Sequence, residues 1–121
     1  MANNVEQTLD KLMGIDGAIA ASIIDTSSGF MLGSRGESFD LEYASAGFTE
    51  LLNAHEKIVS NLKMDDEVVD FMISYSNMYH LLCPVKQIKG VLVFLVVNRQ
   101  KVTLALAQRV LKTAAGDLRL S

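Results

Sequence analysis

Residues 40–62, DLEYASAGFTELLNAHEKIVSNL, decide the reading of this chain. Apolar side chains and one histidine recur at Leu41, Ala44, Phe48, Leu51, Leu52, His55, Ile58, Val59 and Leu62. Steps of three and four place such residues on one face of an α-helix. At about 1.5 Å per residue the helix is roughly 33 Å long, the width of a small domain. Asp40 stands where an N-cap belongs, and Glu42 falls in the first turn, where the helix dipole favours a negative charge. Gly47 lies inside the helix, at the end of the cluster Ala44-Ser45-Ala46-Gly47. An interior glycine costs about 1 kcal/mol relative to alanine, so a packing reason is expected: without a side chain there, another backbone can come close. The helix is therefore a candidate subunit contact.

Upstream of it, Asn4 to Met13 reads as a short helix. Asn4 is placed to cap it, and Gln7 three residues on completes a variant of the capping box. Val5, Leu9, Leu12 and Met13 form its apolar stripe. Gly14-Ile15-Asp16-Gly17 breaks the chain, and Ala18 to Ile24 (AIAASII) reads as a strand packed closely by a helix. Asp25-Thr26-Ser27-Ser28-Gly29 is a turn, with Gly29 suited to a left-handed backbone. A second strand starts at Phe30-Met31-Leu32 and ends by Gly36, so the two strands form an antiparallel hairpin.

Downstream, Asp65-Asp66-Glu67 make an acidic turn. Val69, Phe71, Ile73 and Tyr75 then alternate with more polar neighbours, the period of two of a half-buried strand, set here at Val68 to Tyr75. Asn77 marks a tight turn, and Tyr79 to Val85 returns as a strand. Pro84 cannot donate to a ladder and belongs near that strand's end. After a turn at Lys86 to Gly90, Val91 to Val97 (VLVFLVV) is apolar on both faces, as in a central strand covered on both sides. A last helix runs from Val102 to about Leu118, with Leu104, Ala107, Leu111, Ala114 and Leu118 on one stripe and Leu106 and Val110 widening it. The expected order is α-β-β-α-β-β-β-α, an α+β sandwich with a mostly antiparallel sheet and one domain over residues 1–121.

Half of the 121 residues are hydrophobic and 21% are charged, a surplus of apolar surface that a partner could cover. The formal net charge of −3, with no run of Lys or Arg to neutralise phosphates, argues against nucleic acid. No run approaches the roughly 20 apolar residues that span a bilayer, so no membrane insertion is expected, and the N-terminal residues do not read as a signal peptide. A single cysteine, Cys83, excludes an internal disulfide and suits a reducing, cytoplasmic setting.

Leu12 to Leu32 (LMGIDGAIAASIIDTSSGFML) carries a resemblance. Ile15 and Gly17, then Asp25 and Gly29, resemble the places where the roadblock, or dynein light-chain, family writes its glycine-flanked entry to a strand and its turn from aspartate to glycine. Tyr79 to Val85 followed by Val91 to Val97 also resembles that family, and the likeness covers residues 5–118. It implies a five-stranded antiparallel sheet in the order two-one-five-four-three. It also implies a homodimer in which the long helices lie side by side and the third strands pair edge to edge, which would cover an edge otherwise prone to aggregation. The implied interface holds Ala44, Gly47, Phe48, Leu51, Leu52, His55, Ile58 and Val59 from the helix, with Val69, Phe71 and Ile73 from the strand. Bacterial and archaeal members of this type bind and regulate small Ras-like GTPases, and bacterial ones can stimulate hydrolysis. They need not supply an arginine finger, so none of Arg35, Arg99, Arg109 and Arg119 is nominated as one. A nucleotide-insensitive adaptor of the dynein light-chain type is the alternative; a small-molecule sensor, which needs an apolar cavity, is a third.

No catalytic site, metal site or cofactor is expected. His55 and His80 lack the further ligands that zinc requires, Ser27 and Ser28 have no base near them, and no phosphate-binding glycine motif occurs. His55 reads as a hydrogen-bonded interface histidine and Cys83 as a structural thiol. Asp65, Asp66, Glu67 and Asp70 read as a solvated turn, with a contact to a basic partner surface as the functional alternative.

Overall fold

The computed structural model describes residues 3–36 and 40–120. In chain order the elements are α1 (Val5–Met13), β1 (Ala18–Asp25), β2 (Phe30–Arg35), α2 (Leu41–Asn61), β3 (Phe71–Ser74), β4 (Met78–Pro84), β5 (Val91–Asn98) and α3 (Leu104–Asp117). All strand pairs are antiparallel, and the sheet order is β2-β1-β5-β4-β3, as expected.

The central strand explains the two layers. Val91 to Val97 are all buried, and successive side chains point to opposite faces. Val91, Val93, Leu95 and Val97 join Leu9 and Leu12 of α1 and Ala107, Leu111 and Ala114 of α3 in one core. Leu92, Phe94 and Val96 meet Leu41, Ala44 and Phe48 of α2 in a second. Each aliphatic side chain so enclosed contributes about 1.5–3 kcal/mol before the entropy of ordering is set against it. Close approach completes the first layer: a Cβ on Gly33 of β2 would lie 2.8 Å from Val5 and 3.0 Å from Leu9, so α1 rests on bare backbone there.

The hairpin turn is built as its residues suggest. Gly29 takes a φ of +79°, and its N–H donates to the Asp25 carbonyl at 2.8 Å. The Asp25 carboxylate accepts from the Ser27 hydroxyl at 2.6 Å and the Ser27 N–H at 3.0 Å; these bonds hold its pKa below the ordinary carboxylate value.

Four expectations are corrected. Asn4 precedes α1 but its side chain makes no cap. It is used across the chain, donating to the Asp117 carbonyl at 2.8 Å and accepting from the Arg119 N–H at 2.7 Å, which ties the start of α1 to the end of α3. The third strand is shorter than Val68 to Tyr75. Its ladder opens only at Phe71, opposite Leu82, because Pro84 on β4 has no N–H to extend the pairing. The last helix begins at Leu104, since Lys101 and Val102 are held in a turn by donating to the Asn98 carbonyl. Leu106 does not widen the buried stripe; it is 51% exposed, and the small residues Ala107, Ala114 and Ala115 let α3 sit close on the sheet instead.

Candidate functional site

The long helix starts as its sequence suggests, with the Asp40 carboxylate accepting the Tyr43 N–H at 3.1 Å. Its apolar residues, however, divide into two stripes. Leu41 and Leu52 are buried, with the polar Ser45 and Thr49 beside them, and Thr49 satisfies its hydroxyl on the Ser45 carbonyl at 2.9 Å. Ala44 and Phe48 pack on the same core. The Phe48 ring lies 4.6 Å from that of Phe94 and 5.7 Å from that of His80. Leu52 is therefore buried and Phe48 half-buried against the chain's own sheet layer. A charge at either one would act on that packing.

The second stripe faces outward. Leu51 is 41% exposed and Ile58 51%, flanked by Tyr43 at 71% and Leu62 at 64%. Gly47 and Ala54 lie exposed between them. A Cβ built on Gly47 meets nothing within 4 Å, so nothing among the described residues accounts for that glycine. Residues 43, 47, 51, 54, 58 and 62 recur in steps of four and three, a second helical stripe interleaved with the first. Tyr43 and Ala54 were missed because a search for one apolar face merges the two stripes. The spacing of Tyr43 to Gly47 to Leu51 is the signal that separates them.

His55 and Val59 are half-buried where the stripes meet. The His55 ring contacts Phe71 edge-on with centroids 5.5 Å apart, which places this flank of α2 toward β3. The site candidates on β3 and just before it are brought to the same side. Phe71 and Ile73 are half-buried, Val69 is 56% exposed, and β3 ends the sheet order, so its outer edge has no strand beside it among the described residues.

Asp65, Asp66, Glu67 and Asp70 are all exposed in the segment joining α2 to β3. Asp66 accepts the Glu67 N–H at 3.1 Å, and Glu67 stands 3.9 Å from Lys86 across the mouth of a cleft. Residues 40–70 hold eight of the 14 acidic side chains against two lysines, so the α2 layer is the acidic side of the molecule. The cleft, of about 780 Å³, lies between the end of α2 and the β4–β5 turn. Leu52, Val59, Val69, Val85 and Val91 line it, with Glu56, Lys89 and Lys112 among its charged groups. The close packing expected from the apolar strands does not extend to this end of the sheet.

Neither ring nor thiol chemistry gathers into a catalytic group. His80 is buried against the rings of Phe48, Phe94 and Tyr75, and burial pushes its pKa down. Cys83 is buried, its thiol 3.7 Å from the Val69 carbonyl, and burial pushes its pKa up, with Asp70 adding to the effect and Lys112 opposing it. A thiol so shifted is a poor nucleophile. Among the described residues no group of three or more His, Cys, Asp or Glu could hold a metal, and no helix is long and apolar enough to cross a membrane.

The sequence matches no family model and no curated protein. Solved structures do match. MglB of Myxococcus xanthus superposes with a TM-score of 0.81 at 14% identity, over 93% of this chain and 89% of that one. The gliding protein MglB of Thermus thermophilus gives 0.78 at 16% identity, over 93% and 84%. A Roadblock/LC7 domain from Streptomyces avermitilis gives 0.76 at 10% identity, over 90% and 89%. At such identities the likeness is one of architecture, and by its strand order, its helix layers and these superpositions the chain has the roadblock/MglB-like fold.

Proposed function

We propose that this chain is a homodimeric interaction protein that binds and regulates a small Ras-like GTPase in the cytoplasm. The observation that carries the reading is the outward stripe of α2, apolar, centred on an exposed glycine and lying on the same side as the open edge of β3. A stripe and an edge on one side are what a two-fold partner would cover together. The fold shared with MglB supports the GTPase as the regulated protein. The acidic α2 layer, with Asp65, Asp66, Glu67 and Asp70 at its end, suits a basic surface on that partner. Regulation here means shifting the GTPase between conformations, including toward one that hydrolyses, without this chain supplying a reacting group.

Affinity capture in parallel with GDP and with a non-hydrolysable GTP analogue tests this. A small GTPase held mainly with the analogue is the expected result, and hydrolysis assays then measure stimulation. Equal capture in both, or a partner that is no GTPase, favours the nucleotide-blind adaptor. The cleft of about 780 Å³ supports a sensor as a second reading, since its size and mixed lining fall in the range of small-molecule sites. A compound that raises the melting temperature, and loses that effect when Val85 is changed to Trp to fill the cleft, would favour it.

A further inference from the structure

We infer that the cleft at the end of the sheet is a binding site for a zwitterion with an aliphatic body, a short peptide whose amino and carboxyl ends are both free. This rests on the sensor reading of the cleft given above and adds to it the class of molecule taken.

Two walls of opposite charge carry the argument. Glu56 of α2, with Asp66 and Glu67 of the segment after it, lines one side; Lys86 and Lys89 of the β4–β5 turn, with Lys112 of α3, line the other. Only Glu67 and Lys86 approach each other, at 3.9 Å, and the remaining four make no ion pair among the described residues. Each wall therefore keeps two charges for a ligand, and carboxylates and lysines balance. A peptide with its ammonium on Glu56 and Asp66 and its carboxylate on Lys89 and Lys112 would be held at both ends. Between the walls the floor is aliphatic, with Leu52, Val59, Val69, Val85 and Val91. Its volume of about 780 Å³ suits a molecule of a few residues rather than one.

The same surroundings argue against the commoner anionic ligands. Both α2 and α3 reach the cleft near their C-terminal ends, through Val59 and through Ala115 and Gly116. There the helix dipole repels anions and favours cations. With no basic residue in its last turn, α2 leaves that dipole unanswered, so the acidic wall is the side for the ammonium. No aromatic side chain lines the cleft among the described residues, so a flat base finds nothing to stack on. The basic wall is set in place before any ligand arrives. Gln87 Nε2 donates to the Ala115 and Leu118 carbonyls, each at 2.9 Å. Thr26 donates to the Gly90 carbonyl, its N–H at 2.8 Å and its hydroxyl at 3.0 Å. A turn braced at both ends costs little further ordering on binding.

Titration calorimetry of the whole chain with trileucine tests this, with N-acetyl-trileucine and trileucine amide as the blocked forms. Each block is expected to weaken binding about tenfold, the worth of a charge-assisted hydrogen bond. Glu56→Gln with Asp66→Asn is expected to erase the cost of acetylation alone, and Lys89→Gln with Lys112→Gln the cost of amidation alone. All four positions are exposed, and circular dichroism checks that each variant folds. Equal binding of free and blocked trileucine, or discrimination that survives both double variants, overturns the zwitterion and leaves the cleft a small-molecule site. Absence of trileucine binding, while another compound stabilises the wild type but not Val85→Trp, overturns the peptide class and leaves the sensor reading. A compound screen in which nothing binds overturns both.

Discussion

The two stripes of α2 differ by less than a turn of helix and have opposite fates. The inner one packs on the sheet: Leu41 and the half-buried Phe48 share the core of Phe94, and Leu52 is buried beside the cleft. The outer one, with Tyr43, Leu51 and Ile58, is of similar composition but stands open to water. Hydrophobicity therefore does not separate a residue that holds the fold from one that is free to hold a partner; the direction of its Cβ relative to the sheet does.

That contrast can be broken most severely from within. Leu52→Ala is expected to destabilise the single chain by about 2–5 kcal/mol, the cost of a cavity under α2, measured as a lower denaturant midpoint with an unchanged slope. Ile58→Asp is expected to leave the single chain's stability within about 0.5 kcal/mol and to halve the mass seen by light scattering. Should Ile58→Asp unfold the chain or leave the mass unchanged, the division into two stripes fails.

Gly47→Ala sharpens the comparison, because it should act in opposite senses on the two faces. Helix propensity predicts about 1 kcal/mol of added stability in the single chain, since the new methyl meets nothing. Close approach of a second helix predicts weaker association, read from the dimer dissociation constant. A gain in both would remove Gly47 from the seam.

The smallest effect comes from pH. His80 sits under Phe48 in the inner layer, and burial lowers its pKa from 6.5. The unfolded chain then takes up the proton before the folded one does. Stability from this group is complete well above pH 6.5, is lost as pH falls from 6.5 toward the lowered folded value, and falls no further below it. His80→Leu should flatten that portion of the stability profile, and an unchanged slope would show that His80 is not its source.

Much of this architecture was legible because some patterns admit one local solution. VLVFLVV is too apolar for an edge, and it is the central strand. Asp25-Thr26-Ser27-Ser28-Gly29 closed the hairpin because Gly29 adopts a φ that other residues resist. The misreadings fell where one residue had two uses. Asn4 could cap its own helix or bind the end of α3, and it does the second. Val68 to Asp70 have the residues to continue a strand, but Pro84 lies beyond the last pair of the β3–β4 ladder. The cleft beside them left no trace in the periodicity, since it lies between segments that are distant in the chain.

Taken alone, the sequence determined the elements, their order and the apolar nature of α2, because these follow from periods of two and of three to four set by backbone geometry. Only the tertiary structure decided which apolar residues of α2 are interior and which are surface. Both stripes obey the same helical period, and the sheet covers only one.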